Sequence, residues 1–282
     1  MARGSIPAGS PLARRCFVPS SAGLALACLW IVGCGATRHG EPWGARASIT
    51  PGFGRTLDAA RDALLDPWVW VPLAGATVIW AADVDSEISH WARSETPVFG
   101  STRGAEDGSH DWRAWSQDLW IASACLTPSG DGAWPWLWNK SKGLGVQFAA
   151  KAASGELTSL GKDAFGRERP DHSDRRSMPS GHTTSAFASV TLARRNVDAL
   201  RLAPAARVSL EAGLGGVGAL AAWSRVEAGA HYPTDVLVGA ALGTFVARFV
   251  DDLFLDATGG PSVSALLDSE QGRWSVGLAW SL

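Results

Sequence analysis

The sequence has little net charge, few cysteines and no long uninterrupted apolar run. Its 25 Lys and Arg side chains nearly balance its 27 Asp and Glu side chains, which gives a formal net charge of −2 over 282 residues. This balance provides no electrostatic basis for binding nucleic acid. The apolar run over residues 67–82 is shorter than the roughly 20 residues that a helix needs to cross a bilayer. A buried helix is therefore at least as good an interpretation of this run as a membrane span.

The N-terminal residues have the pattern of an export signal. Arginines precede an apolar run over residues 22–32, which is too short to span a bilayer comfortably. The run leads into Ile-Val-Gly-Cys, which resembles a bacterial lipobox and predicts a signal peptide over residues 1–33 with lipid attached to Cys34. The alternatives are an ordinary signal peptide or an uncleaved anchor. Cleavage before Cys34 would leave Cys125 as the remaining thiol, so the mature chain could form no internal disulfide.

Helical patterns follow one another over most of the remaining chain and predict an all-α helical bundle over residues 56–255. Residues 34–55 are rich in Gly, Pro, Arg and Ser and are predicted to be a tether. No repeat with a period of 20–50 residues is present, which excludes a repeat array. Small residues between Val236 and Val250 predict close contact between that helix and a neighbour.

Two further segments depart from a simple apolar helix. Residues 143–160 are helical in pattern but include Lys151 and Glu156. A charged side chain at the middle of a bilayer costs about 2.5–3.5 kcal/mol, so this segment favours a folded bundle over a membrane span. The tail, residues 256–282, ends in an alternation with the period of a strand. We therefore expect a short C-terminal strand, which could pair with residues 47–53.

The residues best suited to chemistry concentrate in three short segments. They comprise Lys162 and Arg169, then Ser180, Gly181 and His182, and finally Arg225, His231 and Asp235. Together the segments supply three fixed cations, two histidines, one carboxylate and a Ser-Gly turn. This inventory suits a tetrahedral oxyanion, and phosphate is the commonest such anion in cells.

The physics of phosphoryl transfer explains why these residue types belong together. The reacting group spreads charge over three equatorial oxygens, so catalysis consists mainly of positioning and charge stabilisation. The guanidinium groups of Arg169 and Arg225 offer paired donors, and Lys162 adds a point charge. Ser180 offers a hydroxyl group and Gly181 an unshielded N–H, while the helix that begins at the next residue would present its N-terminus to the anion.

His231 is followed closely by a carboxylate. Pro233 would begin a helix just after this histidine, and Asp235 could then accept a hydrogen bond from one ring nitrogen of His231. Such a bond would fix the tautomer and leave the other nitrogen free to attack phosphorus.

The three segments resemble a known family. Lys162-x6-Arg169-Pro170, the Pro-Ser-Gly-His block at 179–182 and Ser224-Arg225-x5-His231-x3-Asp235 look like the three signature motifs of the type 2 phosphatidic acid phosphatase and vanadium haloperoxidase superfamily. All three are intact and in order. The resemblance implies that His231 is a nucleophile that forms a phosphohistidine and that Asp235 orients it. His182 would protonate the leaving alcohol and then activate water. No metal is expected, because three cations already neutralise the phosphate charge.

Three functions are compatible with this resemblance. The first is a phosphatase of the bacterial envelope that acts on a phosphate monoester or on a lipid phosphate or diphosphate without a cofactor. The second is a haloperoxidase with vanadate in the same pocket, although such enzymes are generally much longer. The third is a non-catalytic envelope lipoprotein. We expect the first, with a periplasmic active site and with membrane association through the lipid anchor or the apolar helices.

Three polar residues near these segments receive no catalytic role. His90 and His110 lack a second ligand at metal spacing and are predicted to be histidines of the surface or the edge of the core. Residues 96–108, which precede His110, are predicted to be a loop. Arg167 lies in a charged stretch that we interpret mainly as a solvated entrance, where it could help to bind substrate.

Overall fold

The computed structural model describes residues 36–255 and the backbone of two strands in the tail, residues 262–268 and 273–279. Residues 36–255 form eight helices: α1 Phe53–Leu64, α2 Pro67–Ala81, α3 Asp85–Glu95, α4 Thr102–Leu126, α5 Ala133–Phe165, α6 Gly181–Ala199, α7 Pro204–Glu227 and α8 Pro233–Phe254. The predicted all-α bundle is confirmed. Strand β2 (Arg273–Ala279) lies where a strand was expected, but it pairs antiparallel with β1 (Ser262–Asp268) and not with residues 47–53.

Helix α6 runs through the middle of the bundle. Most of its side chains are buried, and it packs against α4, α5, α7 and α8. Two glycines of α8 allow α6 and α8 to approach each other closely. A Cβ atom at Gly243 would lie 2.3 Å from the carbonyl oxygen of Thr184, and one at Gly239 would lie 2.8 Å from that of Ser180. The predicted close contact is confirmed, and it brings the start of α8 against the start of α6.

The polar residues of α5 bond to neighbouring helices. Gln147 accepts a hydrogen bond from Trp120 Nε1 at 2.7 Å and donates one to Asn196 Oδ1 at 2.8 Å. Lys151 Nζ donates to the carbonyl oxygen of Ser185 at 2.6 Å and to Ser189 Oγ at 2.8 Å. These bonds satisfy polar groups whose burial would otherwise destabilise the fold. They also explain why a helix with such a mixed composition is folded into the bundle.

Helix α2 is more exposed than the sequence suggested. Val69 and Ala76 are buried, but Trp70, Val78 and Trp80 are each more than half exposed. The bundle covers only one side of this helix, so the interpretation of a buried helix is wrong for much of its surface. Among the described helices, none is by itself long and apolar enough to cross a membrane. Helices α1 and α2 meet those criteria of length and composition only as a pair bent by 53°.

The residues before α1 lie against the bundle. Trp43 is buried, and its backbone N–H donates to the carbonyl oxygen of Pro128 at 2.7 Å. The N–H of Ser48 donates to the carbonyl oxygen of Phe254 at 2.8 Å. The described part of the predicted tether, residues 36–52, is thus attached to the folded domain. The predicted signal peptide and Cys34 lie outside the described residues.

Replacing Gly243 with alanine is expected to lower the free energy of unfolding by about 1–3 kcal/mol, because the new methyl group would overlap Thr184 and push α6 and α8 apart. Gly216→Ala is the matched control, since that helical glycine of α7 is exposed and has no neighbouring atom within 4 Å of the added Cβ. The control should gain up to about 1 kcal/mol from helix propensity. Denaturant unfolding followed by circular dichroism measures both variants, and equal stabilities would contradict the close contact.

Candidate active site

The first motif segment begins in the last turn of α5 and touches both other segments. The carbon Cε of Lys162 lies 3.8 Å from the position that a Cβ atom would take at Gly181. Lys162 Nζ donates to the carbonyl oxygen of Arg176. Arg169 donates to Asp174 Oδ1 at 2.8 Å and to the carbonyl oxygen of Ala230 at 3.3 Å. Lys162 therefore adjoins the second segment, and Arg169 adjoins the residue before His231.

The second segment is the N-terminus of α6. Ser180 is the N-cap residue and Gly181 the first helical residue, so the unpaired N–H groups of the first turn open beside Lys162. The N–H of Ser180 donates to the carbonyl oxygen of Asp235 at 3.0 Å. The Oγ atom of Ser180 accepts from Thr183 Oγ1 at 3.1 Å, which leaves the hydroxyl hydrogen of Ser180 for a ligand.

The third segment is a tight turn between α7 and α8. Helix α7 ends at Glu227, and Gly229 adopts a φ angle of +71°, a left-handed conformation that favours glycine. The N–H groups of Ala230 and His231 then both donate to the carbonyl oxygen of Arg225, at 3.1 and 3.2 Å. Pro233 begins α8 as predicted. The turn therefore holds the Arg225 and His231 backbones together.

The side chain of Arg225 is buried at 5% exposure. Its Nη1 donates to Glu106 Oε2 at 2.7 Å and to Ser109 Oγ at 2.9 Å, both on α4. Its Nε is buried and makes no hydrogen bond to any described residue. Because a buried N–H without a partner is costly, this atom is a donor that an anion in the site could satisfy.

Asp235 is fully buried and accepts three hydrogen bonds. Its Oδ2 accepts from Ser177 Oγ and from the N–H of Tyr232 at 2.9 Å, and its Oδ1 accepts from Arg167 Nη1 at 2.8 Å. His231 Nδ1 lies 3.7 Å from Oδ2, which is longer than a hydrogen bond. This nitrogen is buried and has no hydrogen-bond partner among the described residues. The two side chains thus lie next to each other but do not form the expected hydrogen bond. The orienting role of Asp235 stays a prediction.

Arg167 has a different place from the one predicted. Its Nη2 pairs with Asp85 Oδ2 at 2.6 Å, and its Nη1 donates to Thr234 Oγ1 at 2.7 Å as well as to Asp235. Its guanidinium carbon lies 4.0 Å from the ring centroid of Tyr232. Arg167 therefore fastens the start of α8 and is not part of a solvated entrance. No local pattern indicates this role, because Asp85 is remote along the chain.

His182 contacts a residue that lies outside the three motifs. Its Nε2 is 3.3 Å from His110 Nδ1, and the two rings meet edge to face with centroids 4.9 Å apart. His110 Nε2 is in turn 3.3 Å from Glu106 Oε1. His110 is half exposed, as expected for a surface histidine, but it contacts the predicted catalytic acid.

Helix α4 reaches the site because it begins earlier than predicted. Residues 102–108 are helical and not part of a loop, and Ser101 caps the helix by accepting from the N–H of Gly104 at 2.9 Å. Buried Glu227 holds the preceding loop by accepting from the N–H groups of Val98 and Phe99 at 2.9 and 3.0 Å. The sequence did contain a signal for this earlier start. Ser101 is a suitable N-cap residue, and Glu106 and His110 are four residues apart, which places them on one face of a helix.

The site disfavours additional protons. Burial lowers the pKa of His182 to about 3, and the positive charges of Arg225 and Arg113 lower it further. Burial likewise lowers the pKa of His231 to about 4, although Asp235 opposes this shift. The pKa of Lys162 falls to about 8 through burial and the charge of Arg169. Such pKa shifts are expected where buried cationic groups lie close together. We call the site formed by Lys162, Arg169, His182, Arg225 and His231 the cup.

The donors of this cup suit an anion better than a metal ion. Three of its side chains are permanently or mostly cationic, and a cation would be repelled by them. Within the described part of the chain, no group of three or more His, Cys, Asp or Glu side chains is arranged to hold a metal.

Comparisons with known proteins identify a family that part of the chain matches. Residues 143–255 match the family model described as the PAP2 superfamily, and the resemblance seen in the sequence is thereby confirmed. A curated relative, the lipid A 1-phosphatase of Porphyromonas gingivalis, is 37% identical over 129 residues, which cover 43% of this chain and 27% of that protein. The match to this superfamily is consistent with the prediction that the site uses no cofactor.

One solved structure is also similar in outline. It is the first transmembrane PAP2 type phosphatidylglycerolphosphate phosphatase from Bacillus subtilis, which is 22% identical. The match covers 65% of this chain and 92% of that chain, with a TM-score of 0.49. A score at this level carries no argument about function.

We expect the free energy of unfolding to fall as the pH is lowered from about 6.5 toward 4. In this range the unfolded histidines bind protons that the folded His182 and His231 do not, so acid favours the unfolded state. Urea unfolding at several pH values measures the slope. The double variant His182→Asn/His231→Asn should have a shallower slope, whereas His90→Asn, at an exposed histidine of α3, should not. An unchanged slope in the double variant would contradict the assigned shifts.

Proposed function

Because residues 143–255 belong to the PAP2 superfamily, we propose that the chain is a phosphatase that hydrolyses a lipid phosphate through a phosphohistidine intermediate. The observation that carries the proposal is the buried Nε of Arg225, which has no hydrogen-bond partner among the described residues and belongs to one of the three cations of the motif segments. A bound phosphoryl group would supply the negative charge that complements this arrangement. The name of the Porphyromonas gingivalis relative, a phosphatase of lipid A, supports the same substrate class.

The phosphoryl group would be bound by donors from all three motif segments. Lys162, Arg169 and Arg225 supply the charge, and hydrogen bonds to charged groups contribute about 1.5–3 kcal/mol each. Ser180 adds its hydroxyl group. A methyl group at Gly181 would make only ordinary protein contacts, at 3.7 and 3.8 Å. The fold itself therefore tolerates a side chain there, and its absence serves to open the helix N-terminus to the ligand.

His231 would attack phosphorus with Nε2, because its Nδ1 faces Asp235. The lone pair of Nε2 forms the P–N bond while the P–O bond to the leaving group breaks, and that electron pair stays on the leaving oxygen. A small approach of Asp235 toward Nδ1 would complete a hydrogen bond that stabilises the cationic phosphohistidine. Catalytic hydrogen bonds are often long before the substrate binds, so the 3.7 Å separation is compatible with this step.

His182 would then give a proton to the leaving oxygen. Its pKa of about 3 leaves it neutral near pH 7 until the substrate binds. A phosphate charge about 4 Å away at an effective dielectric constant of about 20 stabilises the imidazolium by about 4 kcal/mol, which corresponds to about three pKa units. The bound substrate therefore shifts His182 toward its protonated form, and the protonated fraction supplies the proton. In the second step His182 takes a proton from water, the water oxygen bonds to phosphorus, and the P–N bond breaks to regenerate His231.

The surface beside the site favours a lipid substrate. Leu160 and Phe165 flank Lys162 at the end of α5 and are 63% and 59% exposed. Apolar side chains in this position would contact acyl chains or a membrane surface while the phosphate enters the cup. We propose that the enzyme works at the surface of a bacterial envelope membrane, with its active site in the periplasm and with Cys34 as the lipid attachment site.

Replacing His231 with alanine should lower phosphatase activity by at least about 10³-fold, since the variant lacks the nucleophile that forms the covalent intermediate. The assay panel is phosphatidate in mixed micelles, an isoprenyl diphosphate and a soluble aryl phosphate. His90→Ala is the control and should retain full activity. Quenching the wild type and labelled substrate with detergent at alkaline pH should trap a phosphoenzyme that is stable to base, that is lost on treatment with acid, and that His231→Ala lacks.

Two results would count against this function. Unchanged phosphate release by His231→Ala would remove the proposed mechanism and favour a non-catalytic lipoprotein. Bromination by the wild type with vanadate and peroxide, without phosphate release from any member of the panel, would favour the haloperoxidase alternative.

The double variant Leu160→Ser/Phe165→Ser should raise KM severalfold for a lipid phosphate presented in vesicles and leave KM for a soluble aryl phosphate unchanged. The reason is that these side chains contact the lipid and not the phosphoryl group. The matched control is Val208→Ser/Leu210→Ser, which removes comparable exposed apolar side chains. These two residues lie near the start of α7, at the end of that helix opposite Arg225. An equal change of KM for both substrates would show that the apolar rim does not recognise lipid.

A further inference from the structure

A carboxylate and a second histidine stand in line behind His182. Glu106 Oε1 lies 3.3 Å from His110 Nε2, and His110 Nδ1 lies 3.3 Å from His182 Nε2. A carboxylate oxygen thus lies beside one nitrogen of His110, and the other nitrogen of His110 lies beside His182, so the position of the hydrogen on one ring influences that on the next. Both Glu106 and His110 belong to α4, outside the residues that match the PAP2 superfamily.

The far end of this line is firmly held. The other carboxylate oxygen of Glu106 accepts from Arg225 Nη1 at 2.7 Å, and that nitrogen also donates to Ser109 Oγ. Because Arg225 is buried, Glu106 is tied to a rigid part of the site even though its own side chain is half exposed. The pair with Arg225 also helps to keep the pKa of Glu106 below its usual value despite partial burial, so it accepts hydrogen bonds as a carboxylate.

The hydrogen positions follow from these roles. A carboxylate only accepts, so His110 presents N–H at Nε2. The Nδ1 atom of a neutral His110 is then an acceptor, and the facing Nε2 of His182 must carry a hydrogen. Nδ1 is the nitrogen of His182 that this line leaves free.

We propose that His110 and Glu106 are positioning residues that keep a hydrogen on Nε2 of His182 and thereby make Nδ1 the atom that exchanges a proton with the leaving group and water. The assignment of the tautomer stands on the contacts alone, whereas its catalytic consequence rests on the proposed phosphatase function. During the first step the Nδ1–H bond breaks as the O–H bond of the leaving alcohol forms. Nε2 keeps its hydrogen throughout, and no proton passes to Glu106.

The charged and titratable groups around His182 come from several elements. Arg113 and His110 lie on α4, Arg225 on α7, and His231 in the turn before α8. Glu106, which adjoins His110, also lies on α4. The cations disfavour the imidazolium form of His182, whereas an accepting nitrogen of His110 favours it. Removal of that acceptor should therefore weaken His182 as an acid more than it weakens phosphate binding.

The tautomer is tested in the unmodified full chain. Histidine labelled with nitrogen-15 and long-range proton–nitrogen spectra identify which ring nitrogen carries hydrogen, and His182→Asn assigns the signals. We expect neutral His182 to carry its hydrogen on Nε2 at pH 7. Hydrogen on Nδ1 would overturn the proposal. This measurement needs no substrate, so it tests the tautomer even if the phosphatase function is wrong.

The catalytic consequence is tested with His110→Leu and His110→Asn. We expect His110→Leu to lower kcat/KM about tenfold for an alkyl phosphate, a change of the size of one hydrogen bond. The effect should be under about twofold for 4-nitrophenyl phosphate, whose leaving group needs little protonation. His110→Asn offers an amide oxygen near the former Nδ1 and should restore most of the loss. His90→Leu is the control for removing a histidine and should change neither substrate.

Equal losses for both substrates, or no rescue by asparagine, would overturn the positioning role while leaving the phosphatase function intact. Thermal unfolding of each variant identifies a folding defect. If His110→Leu does not fold, His110→Asn and the spectra of the unmodified chain still decide the proposal.

Discussion

The buried carboxylate of Asp235 holds the three motif segments in one place. It accepts from Arg167 of the first segment, from Ser177 just before the second, and from the backbone of Tyr232 in the third. Burial of a carboxylate is costly unless its oxygens are well paired, and here the pairing comes from parts of the chain that must converge for function. The pKa of Asp235 stays below its usual value because these contacts outweigh its desolvation. The carboxylate of Asp235 thus lies beside His231 and also holds the three motif segments together.

The cationic side chains of the site repel one another, and the fold holds them close together despite this repulsion. Lys162, His182 and His231 all have lowered pKa values, because burial and neighbouring cations disfavour each further positive charge. The carboxylates relieve this repulsion only in part. Asp174 and Asp235 oppose the lowering of the Lys162 pKa, and Asp235 opposes that of the His231 pKa, but all three pKa values stay lowered. An anion would relieve the remaining repulsion. The mutual repulsion of these groups and their affinity for a phosphoryl group have the same origin.

The motifs and most of the helices could be predicted from the sequence, but the way in which distant residues complete the site could not. Helices with apolar periodicity, such as α6 and α8, and the glycines at their contact could be identified because local patterns specify them. The exposure of α2 could not, since a run that is apolar on every face does not show which face packs. The roles of Arg167 and His110 were also beyond local patterns, because Asp85, Glu106 and His182 become their neighbours only in the folded chain.

Helix α4 shows that the candidate site extends beyond the residues that match the PAP2 family model. The PAP2 match begins at residue 143, yet buried Arg225 takes its carboxylate partner from Glu106, and Glu227 binds the loop that leads into α4. A guanidinium group that is almost fully buried needs a counter-charge, so the matched residues alone would leave Arg225 without its carboxylate partner. Helix α4 supplies that charge and, through His110, a contact to His182. The proposed chemistry of this site would therefore depend on a segment that carries none of the family's signature residues.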